Sequence, residues 1–316
     1  MVTLPPIRIR PAHAADVDRM LDLLEPEEFI HPLTRSDLRR LFDYEWAADT
    51  KINFGLVLEA GESVVGMAAT VYSPARRVDG RDVVTVNSGT LFIRPRYRAR
   101  RTGESVTRFS EELARAVVAL GFPVLVFSAR GPNDVVPKIL AAVGFEEICS
   151  EDLFYTAGSH LRTWLRAPGR VERISSRRGR VLTAEQLRIV RDHEPYGCRF
   201  YVVREGDGHA LVVTKRRRYR GEWLWPSFPV DRIRRRYMPV SDILHMGDPD
   251  RTVRSWGRVI ARVCREERTV GVTCCRSFFD SVVPAGTSIP QKILACGLTF
   301  PVRFVDKLYS EFVLLP

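Results

Sequence analysis

The sequence predicts a mixed α/β protein with two domains, and three observations lead to that prediction. The chain has 316 residues, about twice a common domain size. Hydrophobic residues make up 45% of it, which is enough to form real cores. Short apolar runs of strand-like period alternate with segments of helical period, as in domains whose helices pack on a sheet.

The first half contains the elements of one complete α/β domain. Thr34 is a candidate N-cap, with Asp37 three residues later as in a capping box. A hairpin turn is predicted around Gly61, and glycines after two apolar segments predict helix ends at Gly121 and Gly144. The predicted elements are strands at 7–10, 54–59, 63–72, 83–93, 123–128 and 153–156, and helices at 14–24, 34–46, 105–120 and 133–143.

A concentration of positive charge lies between the predicted strand 83–93 and the helix that follows it. The arginines concerned are Arg94, Arg96, Arg98, Arg100 and Arg101. The first turn of a helix has unpaired N–H groups and the positive end of the helix dipole, and arginines add donors for phosphate oxygens. We therefore predict that residues 98–105 bind a pyrophosphate, with a solvated basic loop as the alternative. The stretch matches neither the P-loop nor the dinucleotide-binding glycine motif.

The second half repeats the rhythm of the first more faintly. Residues 166–180 are basic and polar with a Pro-Gly pair, so we place a linker there, between domains at 1–165 and 181–316. The predicted elements of the second domain are strands at 200–204, 209–214, 241–246 and 269–275, and helices at 251–267 and 289–295. This similarity in order predicts a repeat of the first domain.

A second basic stretch, residues 215–237, holds nine Lys or Arg residues against two acids. Aromatic residues are interleaved with them: Tyr219, Trp223, Trp225, Phe228 and Tyr237. Such a composition can bind nucleic acid through phosphate contacts and stacking. It can equally bind a sugar or an anionic acceptor. The third interpretation is a solvated basic hairpin whose tryptophans close the core between the domains.

Composition limits the partners and the compartment. The net charge is +11 and the pI is near 9.7, so an anionic partner such as nucleic acid, an anionic membrane face or a phosphorylated cofactor fits. Six cysteines include no C-x-x-C pair, which predicts reduced thiols and no metal site. No signal peptide and no apolar run long enough to span a membrane is found, so we expect a cytoplasmic protein.

Three segments of the first half together resemble the GNAT superfamily of acyltransferases, over roughly residues 5–157. They are IRIRPAHAADVDRMLDLL, LFIRPRYRARRTGESV and NDVVPKILAAVGFEEI. The second resembles the family's coenzyme-binding segment, with residues 98–103 in place of its [QR]-x-x-G-x-[GA] core. The third resembles the family's N-x-x-A…G-F helix and turn. The resemblance implies two tandem GNAT-like domains, the second degenerate, with acetyl-CoA or another acyl-CoA as co-substrate.

Carried onto this chain, the resemblance implies a coenzyme site in the first domain. The backbone of Phe92 and Ile93 would face the pantetheine and thioester, and Asn133 would lie near the pantetheine arm. The remaining residues would hold the pyrophosphate: Arg98, Arg100, Arg101, Thr102, Gly103, Glu104 and Ser105. The chain departs from the family at Arg101, which replaces a glycine, and at Leu140, where a tyrosine commonly protonates the leaving thiolate. In the second domain, Asp248 and Asp250 occupy the equivalent of the phosphate-binding segment and would repel a pyrophosphate.

The catalytic residues are not assigned by the resemblance. A general base must take a proton from the acceptor amine directly or through one water. The candidates are Glu45, Ser88 and Tyr155, the last as a substitute acid, together with His31 and Asn87. Each also has an ordinary structural interpretation, as a surface charge or a satisfied polar group.

Three functions remain open at this level. The first is an N-acyltransferase acting on the amine of a small molecule, for which we consider an amino sugar linked to polysaccharide synthesis. The second is a non-catalytic GNAT-like regulatory or scaffolding protein, a hypothesis favoured by Arg101 and Leu140. The third, ranked below both, is a nucleic-acid-binding protein built on residues 215–237. The oligomeric state is not predicted.

Overall fold

The fold is described from a computed structural model of the chain. The residues it describes are 6–23, 34–40, 42–44, 46, 55–78, 81–102, 105–129, 135–160, 170–174, 182–205, 208–224, 230, 232, 235–247, 256–276, 285–298 and 308. Every statement below concerns these residues.

The first half follows the predicted order of strands and helices, with differences in extent. Its strands are β1 (Ile7–Pro11), β2 (Leu56–Ala60), β3 (Ser63–Val78), β4 (Arg81–Ile93), β5 (Ala99–Thr102), β6 (Ser105–Arg108), β7 (Val124–Ala129) and β8 (Glu146–Ala157). Its helices are α1 (Val17–Leu23), α2 (Arg35–Arg40), α3 (Phe109–Val118) and α4 (Val135–Ala141). The predicted capping box of α2 is confirmed, since the Thr34 N–H donates to Asp37 Oδ2 at 2.8 Å and the Asp37 N–H donates to Thr34 Oγ1 at 3.3 Å.

The second half contains the matching set. Its strands are β9 (Arg170–Ile174), β10 (Cys198–Glu205), β11 (Gly208–Arg220), β12 (Tyr237–Met246), β13 (Gly271–Cys275) and β14 (Thr287–Cys296). Its helices are α5 (Ala184–His193), α6 (Gly221–Leu224) and α7 (Trp256–Glu267). The predicted linker at 166–180 therefore contains an edge strand, β9, which pairs with β10 along five residues.

One sheet of twelve strands runs through both halves, in the order β1-β2-β3-β4-β7-β14-β8-β13-β12-β11-β10-β9. The order is symmetric about its centre, because equivalent strands of the two halves follow one another in the same order from each edge inward. The two innermost strands are exchanged: β14 of the second half pairs with β7, and β8 of the first half pairs with β13. They also pair with each other along Thr287–Ala295.

The strand β14 corrects a prediction, because residues 289–295 were expected to form a short helix. Its apolar residues Ile293 and Leu294 are both buried, and it has a neighbour on each side. A short apolar run of this kind fits a central strand and a buried helix equally well, and here the pairing between the halves selects the strand.

The sheet curves so that its two ends share one core. A single cluster of buried side chains combines Met67 and Val71 from β3 with Leu211 and Val213 from β11, although seven strand positions separate them. Helices α1, α2 and α5 contribute to the same cluster, and Trp46 stacks on His193 at 5.3 Å between ring centroids. On the opposite face, α3 and α4 cover the first half and α7 covers the second.

Candidate functional site

Each half has one point at which two parallel strands separate. In the first half, β4 and β7 pair only over Val86–Ser88 and Val124–Val126, after which β4 continues along β3 and β7 along β14. In the second half, β12 and β13 pair only over Val240–Asp242 and Gly271–Thr273. We call these the first and second divergence points. Ligands of open α/β sheets bind outside the carboxyl ends of parallel strands at such places.

The first divergence point contains neutral polar side chains. Ser88 is buried and its hydroxyl donates to the carbonyl of Ala69 at 3.0 Å. Thr70, opposite Ser88 on β3, accepts a hydrogen bond from the Gly55 N–H at 2.9 Å. Asn87 is also buried, and its register partner Val71 belongs to the core shared with α1 and α2. Asn87 therefore faces those helices, whereas Ser88 faces the other side of the sheet.

The structure brings together three residues that the resemblance assigned to coenzyme binding. Beyond Ser88, β4 ends at Phe92 and Ile93, and the carbonyl of Ile93 accepts a hydrogen bond from Arg98 Nε at 3.0 Å. The side chain of Ile93 is buried under α3, whereas Phe92 packs toward α1 and α2. Arg98 is itself exposed. One exposed guanidinium therefore lies directly at the open end of β4.

The segment after Arg98 differs from the predicted start of a helix. Residues 99–102 and 105–108 form a two-stranded antiparallel hairpin, β5 and β6, and α3 begins only at Phe109. The Phe109 N–H donates to the carbonyl of Arg98 at 3.2 Å, so the hairpin is tied to the helix at its base. The backbone of Arg101, Thr102 and Ser105 lies in this hairpin and not in the first turn of α3. The positions of Arg100, Arg101, Thr102 and Ser105 are thus those of strand residues.

Part of the local positive charge has a structural use. Arg94 donates to the carbonyl of Asp22 at 3.0 Å, and the Arg96 guanidinium lies 4.8 Å from the centre of the Tyr97 ring. The first turn of α3 carries Glu111 and Glu112, which already complement the helix dipole. The N-terminal end of α3 therefore already has two acidic side chains of its own.

Several predicted site residues lie outside the described part of the chain. Among the coenzyme-binding residues these are Gly103, Glu104 and Asn133. The base candidates Glu45 and His31, and the two aspartates Asp248 and Asp250 of the second half, also lie outside it.

The strand exchange separates Tyr155 from Ser88. Tyr155 lies on β8, opposite Thr273 and Thr287, beside the second divergence point. Val126 at the first divergence point pairs with Leu294 on β14, and Leu294 pairs with Glu147 on β8. Glu147 lies eight residues before Tyr155. At about 3.3 Å per residue, this is roughly 25 Å along the strand. Tyr155 and Ser88 therefore belong to different sites, a consequence of the exchange that the sequence does not reveal.

The second divergence point contains a buried charged cluster. Asp242 is fully buried, and its carboxylate lies 3.5 Å from Arg217 Nε, accepts a hydrogen bond from the Thr273 hydroxyl at 2.9 Å, and contacts the Tyr219 hydroxyl at 3.4 Å. Lys215 is directly opposite Asp242 in the register of β11 and β12. We call these five residues the Asp242 cluster.

Strand alternation explains how this cluster arises from the basic stretch 215–237. Lys215, Arg217 and Tyr219 are buried, whereas Arg216 and Arg218 between them are exposed. The stretch is therefore not uniformly solvated, which corrects the interpretation as a solvated basic hairpin. The sequence does not signal this alternation, because residues 210–213 earlier in β11 form a continuous apolar run that is buried on both faces.

The environment of Lys215 is unusual for an ammonium group. Burial lowers the pKa of Lys215 to about 7, and Arg217 and Arg40 act in the same direction, while Cys198 and Asp37 oppose it. Burial also raises the pKa of Cys198, its register partner on β10, to about 11. Lys215 therefore lies in a site from which water is largely excluded.

Gly271 at the second divergence point permits close packing of Tyr155. A Cβ atom at Gly271 would lie 2.4 Å from the carbonyl oxygen of Thr156 and 2.8 Å from the Tyr155 hydroxyl oxygen. Val124 occupies the matching register position in the first half. Burial raises the pKa of Tyr155, so its hydroxyl stays protonated at neutral pH.

The described residues contain no group of three or more His, Cys, Asp or Glu side chains arranged to hold a metal ion. No helix within the described ranges is long and apolar enough to cross a membrane.

Comparison with solved structures identifies the fold. The structure is similar to a GCN5-related N-acetyltransferase from Kribbella flavida, with a TM-score of 0.52 and 14% identity over 92% of this chain and 71% of that one. It is also similar to N-myristoyltransferase from Saccharomyces cerevisiae, solved with bound myristoyl-CoA, with a TM-score of 0.53 and 9% identity over 98% and 84% of the two chains. No protein-family model matches the sequence, and no curated protein matches it at a significant level.

The chain therefore has the GNAT fold, as a mixed α/β structure of two tandem GNAT-like units. Both similarities extend over nine-tenths or more of the chain, so they include both halves. At this level of identity they define the fold, and the function is argued from the site.

Proposed function

We propose that the protein transfers an acyl group from acyl-CoA to the amine of a small molecule, with the coenzyme held in the first half. The observation that carries the proposal is the first divergence point, where the free end of β4 at Phe92 and Ile93 adjoins Arg98 and the basic hairpin. This juxtaposition offers an open strand edge for an amide-containing arm and guanidinium groups for phosphates. Both are chemical features of coenzyme A.

The residues proposed to bind the coenzyme are those named by the resemblance, with roles adjusted to the hairpin. The backbone of Phe92 and Ile93 would contact the pantetheine, and Asn133 would lie near that arm. The phosphates would be held by Arg98, Arg100, Arg101, Thr102, Gly103, Glu104 and Ser105. The reaction needs a neutral amine to attack the thioester carbonyl, after which the C–S bond breaks, the nitrogen loses a proton and the thiolate takes one up, to give an amide and the free coenzyme thiol.

The acceptor is proposed to be a small amine, with an amino sugar as the leading candidate. The acceptor would approach from the face of α1 and α2, toward which Asn87 points. The second half borders this face, because α5 and β11 share the core with α1 and α2. We therefore propose that the second half shapes the acceptor site and does not bind a second coenzyme.

Calorimetry with acetyl-CoA tests the coenzyme site. We expect one molecule bound per chain, and we expect Arg98→Glu to abolish binding, because it places a carboxylate at the open end of β4. Arg115→Glu is the matched control. Arg115 is exposed on α3, and its substitution by glutamate changes the charge by the same amount. Loss of binding in both variants, two equivalent sites, or no binding at millimolar acetyl-CoA would contradict the proposal.

A second candidate function is coenzyme binding without catalysis. It is favoured by the neutral character of Thr70, Asn87 and Ser88, the described polar residues at the first divergence point. A thiol-release assay with acyl-CoAs and a panel of amines, amino sugars included, separates the two. Amine-dependent thiol release that Arg98→Glu removes supports the transferase. Binding with no release above the rate of buffer hydrolysis supports the non-catalytic protein.

A further inference from the structure

A set of exposed arginines surrounds the end of the β11–β12 hairpin. Arg216 and Arg218 project from the outer face of β11, opposite to Lys215 and Arg217. Arg218 is the register partner of Pro239, and Arg220 that of Tyr237. The exposed or partly exposed arginines of this surface are Arg216, Arg218, Arg220, Arg232, Arg235 and Arg236.

The loop between the two strands is closed at its base. The Gly221 N–H donates to the carbonyl of Arg236 at 2.8 Å, which ties the start of α6 to the residue before β12. Arg235 and Arg236 are thereby held next to Arg220 at the end of the hairpin. Among the described residues between Arg216 and Arg236 the one acid is Glu222, which pairs with Arg220 at 3.1 Å. The surface therefore has a large excess of positive charge.

The same loop carries an exposed apolar side chain. Val230 is 45% exposed, and it is the one large hydrophobic residue with that property among the described residues. In sequence, the loop also includes Trp223, Trp225 and Phe228. Arginines give attraction to anionic headgroups, and apolar or aromatic side chains next to them enter the boundary between headgroups and acyl chains.

We propose that this surface, the basic end of the β11–β12 hairpin, docks the protein on an anionic phospholipid bilayer. A solvated patch of arginine alone would fit any polyanion, nucleic acid included. The exposed Val230 of the same loop favours a bilayer, because the phosphate backbone of a nucleic acid offers no apolar layer for an aliphatic side chain to enter. This surface and the first divergence point belong to different halves of the sheet.

Vesicle co-sedimentation of the full chain tests the proposal. We expect binding to mixed vesicles of phosphatidylglycerol and phosphatidylcholine and no binding to pure phosphatidylcholine. Binding to the mixed vesicles should be lost in about 0.5 M salt. Each basic residue near an anionic surface contributes about fivefold to the partition coefficient. The combined variant Arg216→Gln, Arg232→Gln, Arg235→Gln and Arg236→Gln should therefore bind roughly 600-fold more weakly.

Two controls make the result specific to this surface. The variant Arg8→Gln, Arg173→Gln, Arg191→Gln and Arg204→Gln removes the same charge from exposed positions elsewhere and should retain most of the binding. Val230→Ser, which keeps every charge, should weaken binding to anionic vesicles several-fold and leave binding to a single-stranded oligonucleotide unchanged.

Three outcomes would overturn the proposal. The first is an equal loss of vesicle binding in the two four-arginine variants, which would show attraction by net charge alone. The second is binding to an oligonucleotide that is tighter than binding to vesicles at the same salt concentration. The third is no binding to anionic vesicles by the unmodified protein. Thermal melts of each variant identify any that fail to fold, and single Arg235→Gln and Arg236→Gln variants then replace them.

Discussion

The two divergence points have the same pairing of backbone strands, but the buried side chains are neutral at the first and partly ionisable at the second. Each consists of three parallel residue pairs followed by separation of the strands. In the first half the buried side chains there are the neutral Thr70, Asn87 and Ser88. At the matching register positions of the second half lie Lys215, Ser241 and Asp242, two of them ionisable.

The comparison shows how a repeated fold can assign different tasks to its halves. An open strand edge with a neutral lining and an external basic hairpin leaves room for a phosphorylated coenzyme. A buried lining in which the Asp242 carboxylate lies beside the Arg217 guanidinium is occupied by its own charges. Buried ion pairs add little net stability, but removal of one member is costly, so the second divergence point tolerates change less than the first.

The largest expected difference comes from the matched pair Asp242→Ala and Ser88→Ala. Removing Asp242 leaves the buried Arg217 without its carboxylate, and we expect the free energy of unfolding to fall by about 3–5 kcal/mol. Removing the Ser88 hydroxyl costs one neutral hydrogen bond, about 1 kcal/mol. Urea denaturation measures both. Losses equal within about 1 kcal/mol would show that the two points are energetically alike.

An intermediate effect is expected in the pH dependence of stability. Because the folded pKa of Lys215 is depressed to about 7, the unfolded chain binds more protons above that pH. Lys215 therefore disfavours folding at acid pH, and this penalty is relieved as the pH rises from about 7 toward the unfolded value. Its contribution to the slope of unfolding free energy is at most about 1.4 kcal/mol per pH unit.

The Lys215→Met variant isolates this contribution, since methionine keeps most of the volume and has no titrating group. Over about 2.5 pH units, from about pH 6 to about pH 8.5, the free energy of unfolding of the variant relative to the parent protein should be highest at the acid end. Thr70→Val is the control at the matching position of the first half and should leave the slope unchanged. A parent and a Lys215→Met variant with the same slope would show that Lys215 keeps an ordinary pKa.

The smallest effects should be alike in the two halves. Helix α2 begins with a capping box of Thr34 and Asp37, and α5 begins with one of Thr183 and Gln186. Thr34→Ala and Thr183→Ala should each lower the free energy of unfolding by about 1 kcal/mol, because each leaves a first-turn amide without its acceptor. Serine at either position keeps the acceptor and should restore most of the loss in thermal or urea melts. A cost above about 2 kcal/mol at one site alone would reveal a role in contact between the halves.

Much of the local structure follows from short-range patterns. The capping box at Thr34 and the helix end at Gly144, with its φ of 93°, are confirmed, as are the first-half hairpin and the buried strand β7. Each depends on residues within a few positions of one another. The helix predicted from residue 105 was wrong by four residues at its start, since α3 begins at Phe109. The polar residues of β6 fit the period of a strand and that of a helix equally well.

The sequence pointed only to the candidate site in the first half of the chain. Phe92, Ile93 and Arg98 were predicted from the resemblance to bind the coenzyme, and this stays a prediction. The structure shows that Arg98 donates a hydrogen bond to the carbonyl of Ile93. The Asp242 cluster was missed because its members come from three strands, and one of its neighbours, Tyr155, comes from the other half of the chain.

The sequence by itself determined the fold class, the order of most elements, the basic character of the segment after β4 and the repeat between the halves. Those properties depend on composition, period and spacing along the chain. Only the tertiary structure decided that β8 and β14 exchange places, that the sheet is continuous, and that Lys215 and Arg217 are buried while Arg216 and Arg218 are exposed. The physical reason is that strand pairing joins residues more than a hundred positions apart, and which strand fills a central position depends on the whole sheet.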